Sequence, residues 1–169
     1  MRWFLILFLL PVSTMCLQAA PPRVVERVDL KRYIGTWYEI ARYPNFFQKG
    51  CAGGTTATYE LRPDGKITVI NRCREKDGGA SEARGKAWVA DRATNAKLKV
   101  QFFWPFRGAY WVIELDPDYR WAVVGHPDRK YLWILSRTPE LEPAVYDDIL
   151  RRIAAQGYDL KPIIKTPQP

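Results

Sequence analysis

Apolar and polar residues alternate over short stretches along most of the chain, and turn residues separate these stretches. A period of two predicts strands rather than helices, and the segments RPDGK and LDPDYR are typical of tight turns between neighbouring strands. The pattern predicts eight strands, over residues 36–43, 55–62, 66–73, 82–90, 96–104, 109–116, 119–125 and 130–137.

Eight consecutive antiparallel strands can remove their exposed edges by closing into an up-and-down barrel, and such a barrel can hold one small ligand. The even-numbered connections are short, whereas most odd-numbered ones are longer, for example PNFFQKGCAGG and REKDGGAS. Because these two sets lie at opposite ends, we expect one end to be closed by short turns, the tied end, and the other to be a mouth. The predicted fold is an all-β, eight-stranded antiparallel up-and-down β-barrel.

One helix is predicted after the last strand. Val145, Ile149, Leu150 and Ile153 fall on one helical face, with a proline ahead of them that suits a first turn and a glycine behind them that suits the end. An apolar stripe of this kind favours packing of one C-terminal α-helix against the outside of the barrel. The last four residues, 166–169, are predicted to be a loose tail.

The amino terminus predicts export. Arg2 precedes an apolar run that is too short to span a bilayer and is followed by small residues, so residues 1–20 are interpreted as a signal peptide and residues 21–169 as a single domain. Cleavage near Ala20 would release a soluble protein into the periplasm. Cleavage before Cys16 would instead leave a thiol for a lipid anchor in the outer membrane, but the residues before Cys16 lack the usual small residue, which favours the soluble form.

The net charge excludes few classes of binding partner. The formal net charge is +8, and it falls to +7 without residues 1–19, which contribute only Arg2. Such a balance suits nucleic acid, anionic lipid surfaces or acidic ligands. Export argues against nucleic acid, and the scattered basic residues favour a solvated surface.

The segment GTWYEIARYP combines aromatic residues with both signs of charge in one predicted strand. If Trp37 points inward, Glu39 and Ala41 do so too, because side chains alternate along a strand. Trp37 near the start of the first strand and Arg137 near the end of the eighth meet at the tied end of a closed barrel. We expect a cation–π contact between them, with Trp37 closing the barrel floor.

Three segments, GTWYEIARYP, YWVIELDPDYRWAVV and YLWILSRTP, resemble the signature segments of the lipocalins, and the sequence between them is similar to the bacterial, outer-membrane lipoprotein branch. The resemblance covers essentially the whole mature chain, and Trp37 and Arg137 match the family's residues at the closed end. It implies a barrel that binds small hydrophobic molecules, and we expect no cofactor. The bacterial outer-membrane members are associated with fatty acids and lysophospholipids as ligands.

Strand parity predicts which side chains line the barrel. The inward set is mainly aliphatic and aromatic, which favours an acyl ligand, although a lumen filled by its own side chains is the alternative. Four polar members are candidates for the ligand's headgroup: Glu39, Tyr59, Asn71 and Tyr110. The apolar members are Ala57, Ile67, Val69, Leu98, Val100, Phe102, Val112, Trp133 and Leu135.

Two predicted mouth loops place aromatic residues beside basic ones. The first loop contains Phe46, Phe47 and Lys49, and the fifth contains Trp104, Phe106 and Arg107. This composition is typical of surfaces that contact membrane headgroups. In the alternative interpretation the rings fold inward and roof the cavity.

Catalysis is the rival function. The single histidine, His126, lies in a predicted turn, and Ser136 lies beside Arg137 in a strand motif, so both favour structural roles. The sequence contains no spacing typical of metal ligands and no evident nucleophile–base pair. We therefore expect a carrier that is not an enzyme, with an envelope enzyme or a ligand-free protein-docking factor as alternatives.

Cys51 and Cys73 are predicted to form a disulfide at the mouth, because an exported chain with two remaining cysteines favours pairing. Register is the difficulty, since an unbroken hairpin would pair Cys73 with Thr56, five positions past Cys51. Gly53 and Gly54 lie in this gap and permit a bulge that would bring the two cysteines together.

Overall fold

A computed structural model describes residues 20–169 of the chain. The predicted signal peptide, apart from Ala20, and the candidate lipidation residue Cys16 lie outside the described residues. Between residues 20 and 169, no helix is both long and apolar enough to cross a membrane.

Eight antiparallel strands close into a barrel, as predicted, because each strand pairs with its neighbours along the chain and the eighth pairs with the first. The strands are β1 (Gly35–Arg42), β2 (Cys51–Leu61), β3 (Ile67–Glu75), β4 (Ala80–Val89), β5 (Lys97–Gln101), β6 (Gly108–Leu115), β7 (Trp121–Gly125) and β8 (Leu132–Ser136). The remaining elements are α1 (Leu30–Tyr33), a 3₁₀ helix (Phe46–Gln48), α2 (Pro143–Ala155) and a two-residue strand, β9 (Ile164–Lys165).

Three strands are shorter than predicted, and one of them is β8, which spans Leu132–Ser136 rather than residues 130–137. β5 ends at Gln101, and the aromatic residues that follow it lead to Pro105, which has no backbone N–H to donate to a ladder. β7 begins at Trp121 because Tyr119 lies in the preceding turn, with a φ of 61°. Propensity alone assigned these aromatic residues to strands, whereas the turn geometry places them in loops.

The prediction that Ala41 points into the barrel is wrong. β1 pairs Glu39 with Leu135 but Ala41 with Ile134, so one extra residue forms a bulge between them. The bulge reverses the side-chain alternation, and Ala41 is buried outside the barrel with Ile134. Arg42 consequently takes the inward position, opposite Trp133.

The predicted register of the β2–β3 hairpin is wrong by one residue. Thr56 pairs with Arg72, not with Cys73. The cause is the turn, in which Arg62 donates its backbone N–H to the Lys66 carbonyl at 2.8 Å and leaves three residues in the loop rather than two. The additional loop residue shifts every following pair by one position.

The disulfide between Cys51 and Cys73 is present, with the two Cα atoms 5.6 Å apart. The ladder between β2 and β3 shifts register on both sides of Gly53, as the glycine pair suggested. Gly54 has a φ of 61°, a left-handed conformation that glycine adopts at no steric cost. The bond joins the start of β2 to the end of β3 at the mouth.

Helix α2 packs outside the barrel, as predicted. Tyr146, Ile149 and Ile153 are buried against the outer faces of the strands, and Val145 and Leu150 pack against the same apolar cluster. A second apolar cluster lies inside the barrel. Residues 20–169 therefore form two apolar cores separated by the sheet.

The floor of the barrel is built around Trp37, which is fully buried. The Arg137 guanidinium lies over its indole ring, 3.7 Å from the centroid, and the indole N–H donates to the Tyr33 carbonyl at 2.8 Å. The predicted contact is thus present. Arg137 also donates hydrogen bonds to four backbone carbonyls in and after α1, those of Arg32, Tyr33, Ile34 and Thr36.

The expectation of a loose tail after residue 165 is wrong. β9 pairs with the mouth half of β1, and beyond it Thr166 donates its backbone N–H to the Ile40 carbonyl at 2.9 Å. Gly54 donates its N–H to the Pro167 carbonyl at 2.8 Å. The C-terminal tail, residues 164–168, therefore lies between β1 and β2, where sequence alternation gave no sign of a strand.

Candidate ligand-binding site

The structure places the predicted lining residues on the inner face of the barrel. Residues of this set lie opposite each other in neighbouring strands, for example Trp37 opposite Ala57 and Leu98 opposite Tyr110, so their side chains share one face of the sheet. The apolar and tyrosine members of the predicted set belong to the interior cluster: Ala57, Tyr59, Ile67, Val69, Leu98, Val100, Phe102, Tyr110, Val112, Trp133 and Leu135. Asn71 has the same orientation because it lies opposite Ala57.

The inner face is more completely buried at the tied end than toward the mouth. Trp37 and Val112 are fully buried, and Leu135 is nearly so. In contrast, Val100 and Phe102 also belong to the inner face but remain partly exposed. Inner-face side chains therefore keep some solvent contact toward the mouth, whereas those at the tied end have almost none.

Three tyrosine hydroxyl groups form a chain across the lower lumen. Tyr33 and Tyr110 share a hydrogen bond of 2.8 Å, and Tyr110 donates to Tyr59 at 3.0 Å. Burial raises the pKa of Tyr59 to about 12 and also raises the pKa values of Tyr33 and Tyr110. All three are neutral at physiological pH. The hydroxyls of Tyr59 and Tyr110, predicted as headgroup contacts, are already bonded to other tyrosines.

A buried charged pair lies nearer the mouth. The Glu39 carboxylate is 3.3 Å from Nε of Arg42, and the two side chains are only 4% and 12% exposed. Glu39 also accepts hydrogen bonds from Gln48 Nε2 at 2.7 Å and Thr166 Oγ1 at 2.6 Å. Burial raises the pKa of Glu39, while those two hydrogen bonds and the charge of Arg42 partly oppose the shift.

Asn71 has an acceptor without a partner. Its Oδ1 atom is buried and makes no hydrogen bond within residues 20–169. A buried acceptor of this kind is costly unless a donor reaches it. Because the side chain is on the inner face, a ligand hydroxyl or amine in the lumen would be such a donor.

The mouth loops leave most of their aromatic rings in solvent. Phe46, Trp104 and Phe106 are 71%, 83% and 76% exposed, so these rings do not roof the cavity. Phe47 differs, because it stacks on Trp133 with ring centroids 6.2 Å apart. The Gln48 side chain accepts from the Trp133 indole at 3.1 Å and thereby fixes the first loop to the barrel rim.

The two residues considered for catalysis have structural partners. His126 is hydrogen-bonded to Asp128 within its turn, and its carbonyl accepts a hydrogen bond from Tyr158 at 3.3 Å. Ser136 is buried and shares a hydrogen bond of 3.2 Å with Thr138. Neither residue faces the lumen.

Sequence reasoning missed four polar contributors to the lumen: Tyr33, Arg42, Gln48 and Thr166. Tyr33 belongs to a four-residue helix ahead of the first strand, in a segment without strand alternation. Regular alternation from Trp37 would direct Arg42 outward, and only the bulge turns it inward. Gln48 and Thr166 reach Glu39 from a loop and from the tail, so only tertiary structure reveals them.

These features define a class of protein. The sequence matches the family described as lipocalin-like domain over residues 28–168, and the chain belongs to the lipocalin family. Among curated relatives it is similar to the outer membrane lipoprotein Blc of Escherichia coli K12, with 47% identity over 158 residues that cover 91% of this chain and 89% of the relative.

Relatives extend beyond bacteria. Temperature-induced lipocalin-1 of Arabidopsis thaliana is 42% identical over 153 residues, which cover 86% of this chain and 82% of the relative. Among solved structures, insecticyanin from the tobacco hornworm Manduca sexta has a TM-score of 0.69 at 24% identity and covers 92% of this chain, with 87% of its own length matched. That likeness concerns the fold alone.

Family membership supports the binding of small hydrophobic ligands, in agreement with the apolar interior. The similarity to bacterial proteins named outer membrane lipoproteins supports an exported, cell-envelope location. The relatives are lipocalins, which are typically binding or carrier proteins, and nothing in the site points to catalysis.

Proposed function

We propose that the protein binds fatty acids or lysophospholipids, with one acyl chain in the barrel, and serves lipid transport or storage in the cell envelope. The observation that carries this proposal is the inner face toward the mouth, where Val100, Phe102 and Trp133 are apolar yet partly exposed. Water in contact with such a surface is readily replaced by hydrocarbon. The location is the periplasm or the outer membrane, the latter if Cys16 carries a lipid anchor.

Burial of the chain supplies the driving force. Each square ångström of apolar surface removed from water contributes about 25 cal/mol, so shielding about 300 Å² would contribute about 7.5 kcal/mol before ordering costs. The packed floor around Trp37 limits how deep the chain can reach. Its free end would then lie above the tyrosine hydroxyls, and its polar end near the mouth.

Polar groups near the mouth suit the ligand's headgroup. Arg42 points inward at the rim and carries a positive charge beside Glu39. A carboxylate or phosphate can accept hydrogen bonds from its guanidinium, while the unpartnered Asn71 Oδ1 can accept one from a hydroxyl or amine. These partners fit the headgroups of fatty acids and lysophospholipids.

Exchange with a membrane would take place at the mouth. Phe103 and Trp104 are exposed by 75% and 83%, and Arg107 is exposed on the same loop. Aromatic rings next to a cation favour the interface between headgroups and acyl chains. Contact there would bring the open end of the barrel to the source of its ligand.

Titration with a fluorescent fatty acid tests the proposal. We expect saturable one-to-one binding that lysophospholipid competes away, and a loss of binding when Val100→Trp fills the lumen. Lys99→Trp is the matched control, because Lys99 is the neighbouring, exposed residue on the outer face of β5. Absence of saturable binding, or equal binding by the Val100→Trp variant, would contradict the proposal.

A further inference from the structure

The barrel wall is incomplete between β1 and β2. Their ladder contains four residue pairs and stops where Tyr38 lies opposite Thr56, although both strands continue toward the mouth. β1 runs on to Arg42, and β2 begins at Cys51. Beyond the last pair, the two strands leave a gap that we call the lateral seam.

The C-terminal tail fills the lateral seam and bonds to both of its edges. On one side Thr166 N–H donates to the Ile40 carbonyl, and on the other the Pro167 carbonyl accepts from Gly54 N–H. The Gln168 side chain spans the gap, because its Nε2 donates to the Glu39 carbonyl at 2.7 Å and to the Thr55 carbonyl at 3.1 Å. The tail therefore replaces missing strand-to-strand hydrogen bonds.

Directly behind the tail lies the polar part of the lumen. Thr166 Oγ1 donates to the Glu39 carboxylate at 2.6 Å, and that carboxylate contacts Arg42 inside the barrel. Displacement of the tail would consequently open the lumen sideways. The opening would lie beside the groups that suit a ligand's head.

Two features make the tail the removable part of this wall. Thr55 Oγ1 and Gln168 Oε1 are buried at the lateral seam without hydrogen-bond partners among the described residues, so docking leaves polar groups unsatisfied. Ile164 is 44% exposed and contributes little buried apolar surface.

We propose that the lateral seam is a portal for the acyl ligand, and that release of residues 164–168 opens it. This inference rests on the proposed function. An acyl chain would slide into the lumen between the mouth halves of β1 and β2 while its headgroup stays at the polar edges of the opening. Redocking of the tail then closes the wall beside the bound chain.

Two variants should hold the portal open. One ends the chain at Ile163. The other, Gly53→Ala, keeps every tail residue but places a Cβ atom 2.5 Å from the Pro167 carbonyl oxygen, too close for the tail to dock. Stopped-flow mixing with a fluorescent fatty acid should show association and dissociation at least about tenfold faster than in the wild type.

A third variant should lock the portal. Ala41 and Lys165 are directly opposite in the β1–β9 ladder, within the usual reach of a disulfide, so Ala41→Cys with Lys165→Cys can bond the tail to the wall. We expect exchange at least about tenfold slower than in the wild type until a reductant is added. The wild type in the same reductant controls for the native disulfide.

The outcomes separate the two proposals. Saturable binding by the wild type, with exchange rates that neither the lock nor the truncation changes, would overturn the portal alone. Absence of saturable binding by the wild type would overturn the proposed function and the portal with it.

Hydrogen exchange tests opening without a ligand and without a variant. The amides of Gly54 and Thr166 should exchange about 100-fold faster than those of β7, because tail release exposes them while the barrel stays folded. Equal protection of both sets would mean that the tail leaves only on global unfolding, and this would contradict the portal.

Discussion

Arg137 and Trp37 form the closing contact of the barrel: the guanidinium lies 3.7 Å from the centre of the indole ring and joins β8 to β1 across the floor. The same guanidinium donates to backbone carbonyls in and after α1 and so holds the N-terminal segment under the barrel. Ring stacking and carbonyl hydrogen bonds at one group concentrate stability at the tied end, away from the proposed ligand site.

Replacement of Arg137 should therefore affect stability rather than binding. Arg137→Ala should lower the free energy of unfolding by about 2 to 4 kcal/mol, because it removes a cation–π contact and several charge-assisted hydrogen bonds. Arg137→Lys, which retains the charge but not the planar fork, should recover only part of the loss. Urea unfolding measures both. Unchanged stability together with lost ligand affinity would place Arg137 in the binding site instead.

The Tyr110 hydroxyl should stabilise the lower lumen, because it serves Tyr33 and Tyr59 at once. Tyr110→Phe leaves both neighbouring hydroxyls short of a partner and should cost about 1 to 3 kcal/mol in the free energy of unfolding. Tyr38→Phe is a control, because Tyr38 lies on the outer face of β1. Equal unfolding midpoints for the two variants would show that the chain of hydroxyls contributes nothing.

Glu39 should make the free energy of unfolding depend on pH. Its pKa is raised by burial, so the folded state binds the proton more tightly than the unfolded state, whose pKa is about 4.3. Its contribution to stability is complete below that value and is lost as the pH rises through the folded-state pKa. The unfolding free energy of the wild type minus that of Glu39→Gln should fall as the pH rises above the unfolded-state pKa. A difference that stays flat or rises would contradict the assignment.

The disulfide should stabilise the mouth. Cys51 and Cys73 are 22 residues apart, and closure of a loop of this size contributes roughly 2 to 4 kcal/mol, mainly by restricting the unfolded chain. The Cys51→Ser, Cys73→Ser double variant should unfold at correspondingly lower urea concentration while keeping its barrel circular dichroism. Thiol counting under denaturing, non-reducing conditions checks the bond itself, since two reactive thiols from these positions would exclude it.

The exposed mouth aromatics should be needed at membranes. Trp104→Ala with Phe106→Ala should weaken co-sedimentation with anionic vesicles several-fold, because both rings are more than 70% exposed on one loop. Leu61→Ala is a control, since Leu61 is an exposed apolar residue at the tied end. If the double variant and the control bind vesicles equally well, the mouth is not the membrane-contacting surface.

The barrel could be predicted because its signals are local. Alternation located all eight strands, Trp37 fixed the inward parity of β1, and apolar content indicated the inward side of the other strands. The predicted inward direction of Ala41 was wrong, because the bulge depends on how β1 fits against β8 and is not visible in the alternation of the sequence. The same limit applies to the turn before Lys66, where one additional loop residue moved the register.

The polar lumen was harder to predict, since its members come from elements with no regular pattern. Gln48 lies in a loop and Thr166 in the tail, and both become recognisable only when they reach Glu39. Gly53 offered a partial signal. A glycine at this position predicts a bulge in β2, and the structure shows that the missing side chain also makes room for the Pro167 carbonyl.

Native mass spectrometry of the protein purified from its own envelope identifies the bound ligand without the choice of a probe. We expect one bound fatty acid or lysophospholipid per chain, released on collisional activation and absent from the Val100→Trp variant prepared in the same way, while Lys99→Trp retains it. A lipid-free wild-type protein that also takes up no fatty acid offered in solution would contradict the proposed function.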